Sequence, residues 1–188
     1  GLFFSLFILI AGCKTTQEVN SSTLSVSKNW VGSWACAQML VEPNNMPPPP
    51  GLAENTLRQI VKVSIGGAHI RLRFSNLFSD EATVLKKVSI ADVLNAPEID
   101  KNTQKELSFN GNQEVKIDPR KEVFSDALNF HLKPGQLLAI TIYYGTASQK
   151  TTGHPGSRTT SYILQGDTVN NVSFEVAVKT DHWYSIMG

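Results

Sequence analysis

The sequence is poor in cysteine, shows no excess of charge of either sign, and lacks the residue spacing of a metal site. Its 188 residues include 2 cysteines, and 18% of the residues are charged, with a formal net charge of +1. No basic cluster alternates with aromatic residues, which argues against a nucleic-acid partner. His69, His131 and His182 have no second ligand at metal-binding spacing, so we expect neither a metal nor another cofactor.

The N-terminal apolar run from Leu2 to Ala11 is about ten residues long, too short to span a membrane. This length is typical of the hydrophobic part of a signal peptide. The run ends in Ile-Ala-Gly-Cys13, which is similar to a bacterial lipoprotein signal, in which the cysteine thiol accepts a lipid. We predict a signal segment over residues 1–12, incomplete at its start, with lipidation at Cys13 and export to the bacterial cell envelope. The alternatives are an ordinary secretory peptide or a buried cysteine.

A polar segment separates this signal from the expected domain. Residues 13–28 are rich in Ser and Thr and lack apolar periodicity, which predicts a flexible tether. The folded domain is expected over residues 29–188, enough for one domain with a sizeable core. With Cys13 lipidated, Cys36 has no disulfide partner and is expected to be an unpaired, small core residue.

Apolar and polar residues alternate on both sides of Gly66-Gly67, which indicates two β-strands between Leu57 and Asn76. Glycines can take the positive φ values of a tight turn, so the pattern predicts a hairpin with one buried face. Such a hairpin would leave its cationic side chains facing water or a neighbouring surface, namely Arg58, Lys62, Arg71 and Arg73.

The same two-residue period returns along the rest of the chain. Further strands are predicted at Val84–Ile90, Leu107–Phe109, Val115–Ile117, Leu128–Leu132, Leu137–Tyr144 and Phe174–Val178. Turn-forming dipeptides such as Asn-Gly and Pro-Gly lie between them. A helical turn is expected within residues 95–104. About ten short strands predict an all-β fold, an antiparallel β-sandwich of jelly-roll type.

Three stretches together point to a family. Beside the predicted hairpin, they are WVGSWACAQ from Trp30 to Gln38 and GHPGSRTTSY from Gly153 to Tyr162. The chain resembles the N-terminal β-sandwich domain of SGNH/GDSL-type esterases over roughly residues 29–186. The resemblance implies a non-catalytic accessory domain of an exported serine esterase. A downstream α/β domain would then hydrolyse esters, with acetyl or acyl groups on carbohydrates as expected substrates.

The catalytic blocks of that family are not found in this chain. Gly166-Asp167-Thr168 has threonine in place of the nucleophilic serine, and a turn between strands is the favoured interpretation. Gly111-Asn112 is best interpreted as a hairpin turn, and no Asp-x-x-His pattern occurs. Family members begin their catalytic domain soon after a segment resembling His182-Trp183-Tyr184, so we expect the sequence to be a fragment that ends before that domain.

Four residues are candidates for contact with the missing domain or with substrate: His154, Arg158, Trp183 and Tyr184. The glycine- and proline-rich loop with His154 and Arg158 is suited to binding a carboxylate or phosphate, packing on the missing domain, or stabilising a local turn. We expect this loop and the C-terminal segment to lie on one side of the sandwich, with Trp183 partly exposed. The alternative function is a stand-alone carbohydrate-binding lipoprotein with a stacking platform drawn from Trp183, Tyr143, Tyr144 and Tyr162.

Overall fold

The computed structural model describes Gly1 and residues 30–188. The chain divides into one unit over residues 1–31 and a second, compact unit over residues 32–188, which holds all the described strands. The predicted signal segment, the lipidation site at Cys13 and the polar segment 14–28 lie outside the described residues.

The described part of the chain contains fifteen β-strands, all paired in antiparallel fashion, and two short 3₁₀ helices at Pro43–Asn45 and Lys101–Thr103. The strands are β1 (Met39–Leu40), β2 (Asn55–Lys62), β3 (Gly67–Ile70), β4 (Arg73–Ser75), β5 (Thr83–Asn95), β6 (Glu98–Ile99), β7 (Lys105–Glu106), β8 (Val115–Ile117), β9 (Glu122–Phe124), β10 (Leu128–Leu132), β11 (Leu137–Tyr144), β12 (Thr152–His154), β13 (Ser161–Gln165), β14 (Val178–Thr180) and β15 (Trp183–Tyr184). The predicted all-β, antiparallel fold is confirmed, as is the helical turn within residues 95–104. Many strands have only two or three residues, too few for a periodic pattern, so the prediction of about ten was low.

The largest sheet has the order β14-β13-β2-β11-β5-β6, and β7 and β8 also pair with β5. Its central strand β11 is buried along almost its whole length. Alternate residues such as Ile140 and Ile142 enter the main core, whereas Ala139 packs with Ala91 and Ile99 on the opposite face. Because both faces are covered, β11 is a nearly continuous apolar run instead of an alternating one.

Three smaller sheets form the second layer, with the orders β1-β12-β15, β3-β10 and β4-β9. Their inward residues, among them Phe74, Phe130 and Trp183, belong to the same buried cluster as Leu57 and Ile140 of the large sheet. The core therefore lies between two antiparallel layers, which makes the unit a β-sandwich.

The predicted hairpin across Gly66-Gly67 is wrong. Both edges of β2 are occupied, by β11 and by β13, so β3 pairs with β10 in the other layer. Gly66 is needed for a different reason, since a Cβ atom at this position would lie 2.7 Å from the carbonyl oxygen of Leu132. The glycine thus permits the segment before β3 to pack closely on the end of β10.

Arg58, expected to face water or a neighbouring surface, is fully buried. Residues 166–177, which we call the covering loop, lie over the outer face of the large sheet and enclose its guanidinium group. That group donates to the Thr141 hydroxyl at 2.9 Å and to the carbonyl oxygens of Pro97, Asn171 and Val172 at 2.7–3.0 Å. Its Cζ atom lies 3.8 Å from the centre of the Phe174 ring. Burial lowers the pKa of Arg58 to about 10, so it remains charged at neutral pH.

Two other predicted strands are mostly irregular. Leu107 and Phe109 are buried, but β7 ends before them and Phe109 makes only an isolated bridge with Asn112. Phe174 lies in the covering loop, where its ring packs on Arg58. Of the residues in that predicted strand, only Val178 belongs to β14. Leu107, Phe109 and Phe174 are thus buried without a ladder of backbone hydrogen bonds, whereas Val176 has 88% of its surface exposed.

Candidate functional site

The three-stranded sheet β1-β12-β15 brings together segments that are far apart in the sequence. Gly153 of β12 lies opposite Met39 of β1 on one side and Tyr184 of β15 on the other. His154 in turn lies opposite Trp183. The prediction that the loop after Gly153 and the C-terminal aromatic segment lie on one side of the sandwich is confirmed.

Gly153 allows this close approach of strands. A Cβ atom there would lie 2.8 Å from Cγ2 of Val41 and would also collide with the carbonyl oxygen of Trp183. Any larger residue would push β15 or β1 away from β12. The glycine is therefore a structural requirement of the sheet that carries the candidate site.

The expectation that Trp183 is partly exposed is wrong, since only 2% of its surface is accessible. Its ring lies 5.0 Å from that of Trp34, and its indole nitrogen donates to the carbonyl oxygen of Ile186 at 2.9 Å. Tyr184 is also buried, and its hydroxyl donates to the carbonyl oxygen of Asn45 at 3.1 Å. Both aromatic side chains belong to the core, so neither is available for contact with another domain while the sandwich is intact.

The proposed aromatic stacking platform is not formed by its candidate residues. Tyr144 and Tyr162 are buried together with Trp183. Tyr143 is half-buried, and its hydroxyl donates to Glu54 at 2.9 Å. A sugar ring needs a flat, exposed aromatic face, and four partly or fully covered rings do not provide one.

The loop after β12 is held firmly at its base and exposed at its tip. Nδ1 of His154 lies 2.7 Å from the carbonyl oxygen of Ala37. The amide of Gly156 donates to Nδ1 of His182 at 2.9 Å. Arg158 is exposed and has a positive φ of 58°, a strained conformation for a residue with a side chain.

Beside this loop, β1 is an outer strand of its sheet and exposes Met39 and Leu40, each with 45% of its surface accessible. A groove of about 590 Å³ continues from β1 between residues 40–53 and residues 147–151. Its walls are largely apolar and include Leu40, Met46, Pro47, Pro50 and Ala147. No local pattern in the sequence predicts this groove, because its second wall comes from the distant residues 147–151.

Gly166-Asp167-Thr168 forms a bend after β13, as predicted. Thr56 organises this bend, since its hydroxyl donates to the Gly166 carbonyl oxygen at 2.6 Å and accepts from the Thr168 amide at 2.9 Å. Asp167 forms an ion pair of 2.5 Å with Lys87. Oγ1 of Thr168 is buried without a hydrogen-bond partner. The bend therefore fastens the covering loop to the sheet.

Gly111-Asn112 also forms the predicted turn, in which Phe109 and Asn112 exchange backbone hydrogen bonds. The carboxylate of Asp126 accepts from the amides of Gly111 and Asn110 and from the Ser108 hydroxyl. These hydrogen bonds, that from Gly111 foremost, lower the pKa of Asp126 below its usual range. The polar groups of this turn are thus used within the turn itself.

Residues 30–188 contain no cluster of three or more His, Cys, Asp or Glu side chains placed to hold a metal ion. In the same part of the chain, no helix has the length and apolar character to cross a membrane. The sequence matches no protein-family model, and no curated protein shows significant similarity to it.

Proposed function

We propose that this chain is the N-terminal accessory domain of an exported, lipid-anchored SGNH/GDSL-type esterase. The observation that carries the proposal is the meeting of two of the resembling segments, residues 30–38 and 153–162, with the C-terminal aromatic segment. The Trp34 ring packs at an angle of 43° against that of Trp183, β1 follows directly after residues 30–38, and β12 joins β1 to β15. Two segments that resemble one family in sequence and order therefore form one structural unit with the C-terminal residues, on one side of the sandwich.

This unit offers a surface for a second domain of the same polypeptide. Exposed Met39 and Leu40 on an outer strand provide apolar contact, and the adjacent groove provides a concave shape. Arg158 at the tip of a firmly held loop provides a charged contact, since its strained backbone is kept in place by the surrounding hydrogen bonds. The surface requires Arg158 and His154 from the sequence prediction but neither Trp183 nor Tyr184.

The position of the C-terminal residues agrees with this arrangement. The carbonyl oxygen of Met187 accepts from the Cys36 amide at 3.0 Å, and Gly188 pairs with the backbone of Arg73. A catalytic domain that continues from Gly188 would start close to residues 36–40. Its serine would perform the ester hydrolysis, with acyl groups on carbohydrates as the proposed substrate class.

An esterase assay tests the non-catalytic role of the chain itself. We expect the purified chain to hydrolyse nitrophenyl acetate and nitrophenyl butyrate no faster than buffer, because Asp167 is paired with Lys87 and Thr168 has no base beside it. Activity that survives repurification and is lost in Thr168→Ala would overturn the proposal for this chain.

A labelling experiment tests the proposed lipid anchor. The complete precursor, expressed in a bacterium fed with radioactive palmitate, should incorporate the label, and Cys13→Ser should abolish it. Cys36→Ser is the matched control, since Cys36 lies within the folded unit and should leave labelling unchanged. Equal labelling of wild type and Cys13→Ser would refute the anchor.

A further inference from the structure

One end of the large sheet exposes apolar side chains. Leu137, the first residue of β11, has 43% of its surface accessible and lies opposite Lys62, the last residue of β2. Ile65, in the segment that follows β2, is 40% accessible. We call this region, formed by residues 62–66 and 133–137, the apolar end. Two exposed aliphatic side chains at one end of the sheet can contact another apolar phase.

The apolar end is rigid because its two segments are bonded to each other. The Val63 amide donates to the Gln136 carbonyl oxygen at 3.0 Å, and the Gly135 amide donates to the Val63 carbonyl oxygen at 2.8 Å. Ile65 and Leu137 are therefore held in place before any partner binds, which reduces the entropy lost on binding.

Near these side chains, the basic groups are more exposed than the acidic ones. Lys62 and Lys133 are exposed beside Leu137 and Ile65. The acidic groups near this end, Asp92, Glu98 and Asp100, are half-buried, and Asp92 accepts a hydrogen bond from Gln136. The lysines are thus the outermost charges, and their long side chains can extend to phosphate groups while the aliphatic side chains enter an apolar layer.

The polypeptide joins the folded unit at the apolar end. The Ser33 hydroxyl donates to the Ile65 carbonyl oxygen at 3.3 Å, and the Ser64 hydroxyl donates to the Ser33 carbonyl oxygen at 2.7 Å. Cys13 precedes Ser33 by about twenty positions, a stretch that spans at most about 70 Å when fully extended. A tether from Cys13 would therefore enter the folded unit beside Ile65.

From these observations we infer that the apolar end is a membrane-contacting surface. Ile65 and Leu137 enter the boundary between phospholipid headgroups and acyl chains, and Lys62 and Lys133 contact the phosphates. The inference rests on the lipid anchor of the proposed function. It orients the domain so that the opposite end of β5, near Phe78, points away from the bilayer.

The test uses the full chain with Cys36→Ser, in which Cys13 is the sole thiol and is coupled to a maleimide phospholipid. Vesicles of equimolar phosphatidylcholine and phosphatidylglycerol carry the protein, and amide hydrogen exchange is compared with the uncoupled chain. We expect residues 62–66 and 133–137 to exchange roughly three-fold more slowly when tethered, because a tether keeps the local concentration high. Ile65→Ser with Leu137→Ser should remove this protection, whereas Phe78→Ser with Lys121→Ser should retain it.

Unchanged exchange at the apolar end, or protection at residues 77–82 instead, would overturn the inference. Because the anchor is attached chemically, this result does not depend on lipidation in the cell. Slowed exchange here together with unlabelled Cys13 in the palmitate experiment would overturn the proposed anchor alone. Folding of each variant is checked by circular dichroism, and all four substituted side chains are exposed.

Discussion

Replacing Arg58 by methionine tests how the covering loop is held on the sheet. The substitution keeps an unbranched side chain but removes every donor of the guanidinium group. It leaves the Thr141 hydroxyl and the carbonyl oxygens of Pro97, Asn171 and Val172 without these bonds. It also removes the contact of the cation with the Phe174 ring.

The magnitude depends on two opposing effects. An acceptor left buried without a donor costs about 1–3 kcal/mol. In Arg58→Met, each of four acceptors loses one donor. Removing a buried charge returns several kcal/mol of desolvation free energy, and the exposed residues Asn171 and Val172 can turn their carbonyl groups to water. We expect the free energy of unfolding to fall by about 3 kcal/mol in Arg58→Met.

Arg58→Lys distinguishes the stabilisation by several guanidinium hydrogen bonds from the effect of the buried positive charge alone. A lysine retains the charge but has one nitrogen, which cannot reach acceptors on the sheet, on residue 97 and on the covering loop at once. We expect it to destabilise the protein by about as much as methionine does, whereas Lys62→Met at an exposed site should stay within about 0.5 kcal/mol of wild type.

Urea unfolding at neutral pH measures these differences, and amide hydrogen exchange localises them. Exchange within residues 166–177 should quicken in both Arg58 variants before the core strands are affected. A stability of Arg58→Met equal to wild type, or full rescue by Arg58→Lys, would refute the role given to the guanidinium group.

Two further predictions concern the core and its pH dependence. Gly153→Ala should lower the unfolding free energy by about 2–3 kcal/mol, because the added methyl group collides with Val41 and Trp183, whereas Gly32→Ala, with open space around it, should change little. Equal stability of these two variants in urea would contradict the close packing of β12. Burial raises the pKa of Tyr144 well above its usual range and that of Tyr184 to about 12. Unfolded tyrosine ionises near pH 10, so this stabilisation is complete below about pH 10 and is lost as pH rises toward 12. Tyr144→Phe should be less stable by about 1 kcal/mol at pH 7, since Ser185 loses its partner, and should lose less stability between pH 9 and about 11 than wild type. If the urea midpoint fell equally with rising pH in wild type and in Tyr144→Phe, Tyr144 would not ionise on unfolding.

The sequence predicted those parts of the fold that depend on local periodicity. The long strands β5 and β11 were found because their apolar residues recur over many positions. The pairing of β2 and β3 was predicted wrongly, since strand partners are chosen by layers that assemble from distant segments. Alternation alone gave no way to see that β3 belongs to the other layer.

The loop of His154 was expected to lie on the same side as the C-terminal segment, and β12 and β15 pair there. The burial of Trp183 was not predicted, because it depends on Trp34 from the start of the domain. Arg58 was equally beyond local reasoning, because its acceptor Asn171 lies 113 positions away. A charged residue in a strand normally faces water until another segment covers it.

The proposal of an accessory domain is tested most directly by determining the gene sequence downstream of Gly188. The account predicts an open reading frame that continues into an α/β domain, with a Gly-Asp-Ser block soon after this residue and an Asp-x-x-His block near its end. In that longer enzyme, Arg158→Ala should reduce activity or interdomain stability, while exposed Lys121→Ala should not. A stop codon directly after Gly188, or a downstream domain without these blocks, would contradict the proposed function.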